Sequence, residues 1–99
     1  MTTADRFMLC QTPTPGKQPV RIPQWKFDAV RKAILRVLPK GGSIAFKDLP
    51  DLVADALPAD ARARLGSVSW HVTTVKLHLE TTGELQRVPG ESPQRLRRA

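Results

Sequence analysis

A second cysteine is missing. Cys10 stands alone in 99 residues, so no internal disulfide can close, and a reducing, cytoplasmic location is expected. No stretch approaches the roughly 20 apolar residues that a membrane span requires. Met1–Cys10 likewise holds no apolar run long enough for the core of a signal peptide, so neither export nor membrane insertion is expected. The chain has no glycine-rich phosphate loop, no nucleophile elbow and no cluster with metal-ligand spacing, and it shows no internal repeat or low-complexity tract. These absences point away from an enzyme and imply no cofactor and no metal. Acidic residues are also few, nine Asp and Glu against sixteen Lys and Arg, for a formal charge of +7.

What remains is enough for one core. Ninety-nine residues, 40% of them hydrophobic, sustain a single domain and leave no room for a catalytic domain joined to a second module. The charge is uneven. Residues 47–60 set Lys47 against Asp48, Asp51, Asp55 and Asp60, a net −3 that leaves +10 for the rest of the chain. One acidic and one strongly basic face follow, and such a field suits phosphate backbones or acidic protein surfaces, with basic residues spread for solubility as the plain alternative.

Along the chain, Arg6–Cys10 is a short apolar run, and Pro15-Gly16 suits the central pair of a type II turn. Gln18–Ile22 can then return as a strand, which makes residues 1–22 an arm or hairpin that must lie on something. Pro23 suits a first helical position, and Phe27, Val30, Ile34 and Val37, with Ala33 and Leu38, recur at helical spacing opposite Lys26, Arg31, Lys32 and Arg36. Pro39 and Gly41-Gly42 end that helix. Ser43–Phe46 reads as a brief strand. Asp48 and Asp51 read as a capping pair for a second helix with an apolar stripe of Leu49, Leu52, Val53, Ala56 and Leu57, halted by Pro58. Ala59–Leu65 can coil into one further turn.

A third helix runs from its cap at Ser67 to about Thr82 and stops at Gly83. At about 100° per residue, Val68, Val72, Val75 and Leu79 share the core direction, while Trp70 and Leu77 lie opposite, with Thr73, Thr74 and Thr81 around them. Leu85–Val88 and Gln94–Arg97 alternate as strands around Pro89-Gly90-Glu91-Ser92-Pro93.

The order helix, strand, helix, helix, hairpin resembles a winged helix-turn-helix domain over about residues 24–97, and Val72–Val88 resembles the recognition helix and first wing strand of MarR-like members. Trp70, the run Thr74–Glu80 and Gly83 are also similar to a family of small uncharacterised bacterial proteins, a resemblance that implies a fold and no activity. Expected, then, is an α+β winged helix-turn-helix with three helices and a small antiparallel sheet over residues 23–99, behind the arm of residues 1–22.

Two functions follow from that expectation. In the first, the protein is a transcriptional regulator, probing as a homodimer double-stranded DNA through the third helix and a basic wing. Ser69, Thr73, Thr74 and Lys76 would bond phosphates and base edges, and Arg87, Arg95, Arg97 and Arg98 the backbone. In the second, the winged helix is a protein-interaction or self-association module centred on Trp70 and Leu77, with no nucleic acid bound. Nine residues, Pro58–Gly66, separate the second and third helices where a helix-turn-helix has three or four. Trp70 and Leu77 occupy the outward face where Arg, Asn or Gln would read bases, so that they meet thymine methyls, or else are covered by the arm residues Phe7, Met8 and Leu9 or by a second copy.

Three smaller groups of residues take plain readings. Cys10 is an ordinary thiol rather than a nucleophile. His71 and His78, about 10 Å apart along one helix, are too distant to share a metal and read as surface or boundary residues. Asp48, Asp51 and Asp55 read as capping and solvation rather than a metal or acid–base site.

Overall fold

Thr14-Pro15-Gly16-Lys17 makes a tight bend. Gly16 has φ +82° and the Lys17 amide reaches the Thr14 carbonyl at 3.4 Å, as a type II turn requires. The bend lies in the loop between β1 (Phe7–Cys10) and β2 (Val20–Pro23), which pair antiparallel with Met8 opposite Ile22 and Cys10 opposite Val20. The computed structural model describes residues 6–99; Met1–Asp5, the start of the expected arm, lie outside the described residues.

Four helices follow: α1 (Gln24–Val37), α2 (Leu49–Ala56), α3 (Ala59–Leu65) and α4 (Val68–Thr82). The brief strand β3 (Ile44–Ala45) lies between α1 and α2, and β4 (Leu85–Arg87) and β5 (Arg95–Arg98) close the chain. β5 is the centre of a three-stranded antiparallel sheet, with β3 on one side and β4 on the other. The architecture is α+β, with one helix more than expected, because the stretch before Gly66 coils into the two turns of α3.

The inward faces are those that helical periodicity selects. Phe27, Val30, Ala33 and Ile34 of α1, Leu49 and Val53 of α2, and Val72, Val75 and Leu79 of α4 are buried together with Leu85 and Leu96 of the sheet. Each such side chain larger than alanine gains roughly 1.5–3 kcal/mol on leaving water. Val68 is only partly covered at the start of α4. Leu52, expected in the α2 stripe, is 38% exposed. It falls about 60° outside the Leu49 direction, where no neighbouring helix reaches it.

Helix ends differ in how they are closed. The Ser67 hydroxyl accepts the Trp70 amide at 3.1 Å, so α4 has its side-chain cap. Gly83, at φ +85°, ends α4 with its own amide on the Glu80 carbonyl and the Glu84 amide on the Leu79 carbonyl, the paired bonds of a Schellman closure. Asp48 makes no cap bond. Its backbone is already helical in the 3₁₀ turn Phe46–Asp48, so its carboxylate does not sit over the free amides of α2. Pro23 lies one position outside α1 as the last residue of β2.

Candidate functional site

The outward side of α4 is flanked on two sides. On one flank the β1–β2 loop lies against the helix. On the other, Arg87 of β4 reaches across to Glu80, its Nε donating to Oε1 at 2.8 Å. Between them Ser69 is exposed, whereas Thr73, Thr74 and Leu77 are only partly so.

The loop side encloses a groove of about 260 Å³. Cys10, Val20, Trp70 and Leu77 contribute apolar surface, Thr12 and Thr74 hydroxyls, and Lys17 the cation. Trp70 remains 47% exposed, its indole edge-on to the His71 ring at 4.8 Å between centroids. Phe7 and Leu9, expected as covers for Trp70 and Leu77, are themselves 52% and 49% exposed. They alternate with Met8 and Cys10, which point to the core, so it is the loop end of the hairpin that shelters Leu77.

One hydrogen bond joins the loop to the helix. The Gln11 amide donates to Nδ1 of His78 at 2.9 Å, and the His78 ring meets Phe27 edge-on at 5.4 Å. Burial pushes the His78 pKa below its ordinary value, against a smaller upward pull from Glu84. Accepting the Gln11 amide at Nδ1 requires a neutral ring with its proton on Nε2. His71 is also buried and donates Nδ1–H to the Ser67 carbonyl at 2.7 Å. Both histidines, expected as surface or boundary residues, lie at the inner edge of that range, 8% and 7% exposed. Both fall on the α4 flank that packs under the hairpin and beside Gly66, contacts that lie far apart in sequence.

Five of the expected phosphate or base ligands, Lys76, Arg87, Arg95, Arg97 and Arg98, have a partner within the fold. Lys76 is 2% exposed, and its ammonium lies 2.6 Å from Glu80 Oε2 and 4.7 Å over the Phe46 ring. It sits about 80° from the Val68 direction, at the edge of the core arc, and the 3₁₀ turn carrying Phe46 closes over it. In that placement the Lys76 ammonium is shielded from solvent. Arg95 donates from Nε to the Ser43 hydroxyl at 2.9 Å and from a terminal nitrogen to the Ser43 carbonyl at 3.0 Å. Arg98 donates to the Leu35 carbonyl. Both pin β5 to the body instead of facing outward. Arg87, beside Glu80, remains half exposed, and Arg97 is exposed with Nε on Gln86 Oε1 at 3.2 Å.

Cys10 is buried, and desolvation pushes its thiol up to about 11, so it is neither a thiolate nor a nucleophile at neutral pH. Sequence reasoning did not place Cys10, Gln11, Lys17 and Val20 beside Trp70. No periodicity in either segment signals that contact. Among the described residues, no helix is long and apolar enough to cross a membrane.

These elements define a small α+β domain with a docked N-terminal hairpin and a groove between that hairpin and its longest helix. Residues 8–96 match the model of a family of unknown function (DUF6958), and the chain belongs to that family. No curated protein and no solved structure matches it.

Proposed function

We propose that the protein is a winged-helix interaction module that docks an apolar segment of a partner protein on the α4 face around Trp70 and Leu77. The winged-helix reading is supported by the strand order β3-β5-β4 with the helices α1, α2 and α4 in the expected chain positions. The observation that carries the docking reading is the half-exposed Trp70 at the mouth of a groove with Leu77 in its wall. Tryptophan beside a pocket is a typical anchor of protein contacts, and leaving it in water without a partner is unfavourable. Lys17 at the same groove, on a chain of charge +7, favours a partner carrying a carboxylate next to its apolar anchor.

The DNA reading keeps Ser69, Thr73, Arg97 and part of Arg87, and what favours it is the exposure of those two arginines beside α4. Against it stand the internal partners of Lys76, Arg95 and Arg98, the Glu80 carboxylate on the same flank, and a helix lying between two flanks rather than standing free to enter a groove.

Crosslinking in cells followed by partner identification, run on three versions of the chain, separates the two. Partners held by the wild type and by Arg87→Ala/Arg97→Ala, and lost from Trp70→Ala/Leu77→Ala, support the docking module. Duplex binding whose log affinity falls with log salt, with a slope that flattens when Arg87 and Arg97 are removed, would overturn it in favour of DNA.

A further inference from the structure

On the side of the molecule formed by α1, α2 and α3, two surfaces match one another. The first is a groove of about 270 Å³ between α1 and the junction of α2 with α3. Its floor is Ala33, Ala56 and Leu57, and its α1 rim carries Lys32 and Arg36, both exposed. The second is the outer stripe of α2, where the exposed Leu52 is surrounded by Asp48, Asp51 and Asp55. Among the described residues none of these three carboxylates or two cations takes part in an ion pair within the chain.

The spacings agree as well as the charges. Lys32 and Arg36 are four positions apart on α1, and Asp51 and Asp55 four apart on α2, each pair about 6 Å along its axis. Leu52 lies one turn before Ala56 on the same edge of α2, so the stripe runs into the groove and the two form one continuous surface. A surface that carries both a knob and its socket is self-complementary about a two-fold axis.

We propose that a second copy of this chain occupies the groove. Leu52 of each protomer enters the partner copy's groove over Ala33 and Leu57, with Asp51 and Asp55 meeting Arg36 and Lys32 across an antiparallel α2–α1 crossing. The local net −3 of residues 47–60 on a +7 chain thereby has a role that solvation alone does not give it. This contact is independent of the Trp70 face and leaves that face open in each protomer.

Sedimentation equilibrium from low micromolar to near-millimolar concentration tests it. The wild type is expected to dimerise, more weakly as salt rises. Leu52→Arg, Asp51→Lys/Asp55→Lys and Lys32→Glu/Arg36→Glu are each expected to weaken self-association at least tenfold while circular dichroism stays native. The two charge-reversed chains, mixed, are expected to recover a heterodimer, because each then offers the other a matched stripe and groove. Trp70→Ala/Leu77→Ala is expected to dimerise as the wild type does. A wild type that stays monomeric throughout, a dimer indifferent to the charge reversals, or one dissolved only by the Trp70/Leu77 change would overturn the proposal.

Discussion

The Gln11 amide and Nδ1 of His78, 67 residues apart in sequence, are 2.9 Å apart in space, and this bond ties the hairpin loop to the helix that forms the floor of the Trp70 groove. It requires a neutral ring, because a protonated Nδ1 donates and would face a second donor. Phe27 lies against the same ring. The nearby charge is Glu84, just past the Gly83 stop of α4 and itself held by Arg31.

The pH dependence follows from that bond. His78 has a lowered pKa when docked, so the undocked chain takes up the proton first. The stabilisation is complete above the ordinary value of 6.5 and is lost as pH falls from there through the lowered docked value. Amide exchange at Gln11, corrected for intrinsic rate, is expected to accelerate on acidification from pH 7 to 5, and His78→Ala to remove the pH dependence while speeding Cys10 labelling at pH 8. Exchange at Gln11 with the same pH response in the variant would show that another group controls the hairpin.

Lys76 provides a test of burial against charge. Lys76→Ala would leave Glu80 with Arg87 alone and open space beneath Phe46, at a cost of about 3 kcal/mol in urea unfolding. Lys76→Met combined with Glu80→Gln keeps the volume and removes both charges, and is expected to lose less than about 1.5 kcal/mol. Equal losses in the two variants would mean that the ion pair, rather than the filled space, holds this corner.

Gly83 is a backbone requirement without a steric one. Its φ is +85°, and a Cβ there would meet nothing within 4 Å. Gly83→Ala is therefore expected to cost about 1 kcal/mol, and Gly83→Asn less, both measured as shifts in the denaturation midpoint at unchanged slope.

Arg31 holds Glu84 from α1, with help from the Thr82 hydroxyl, and keeps the Glu84 carboxyl below its usual range despite partial burial. A lowered carboxyl stabilises the fold above the unfolded value of 4.5 and ceases to do so as pH falls through the folded value. With both side chains substantially exposed, the effect is under about 1 kcal/mol. Arg31→Ala is expected to flatten the acid limb of the stability curve between pH 5 and 3, with little change in the far-UV spectrum.

Local chemistry was legible in the order of residues. The Pro15-Gly16 bend, the inward line Val72, Val75 and Leu79, the Ser67 cap and the Gly83 stop each depend on neighbours within a turn or two, where helical period, a hydroxyl or a permitted φ is decisive. The extra helix α3 is legible only as a stretch able to coil, because seven residues have too little periodicity to declare themselves.

The outward face of α4 belonged to the tertiary structure. A helical wheel places Lys76 and His78 at the edges of the buried arc, and whether an edge position meets water or protein depends on what packs beside it. Phe46 and the hairpin loop, distant in sequence, closed over those edges, while Ser43 and the Leu35 carbonyl drew Arg95 and Arg98 inward. Composition alone determined that this would be a basic, single-core chain, and the order of its periodic segments that it would be α+β. Which cations stay free to bind anything was decided only when separated segments came together, since a charged group turns inward where it finds a partner and outward where it does not.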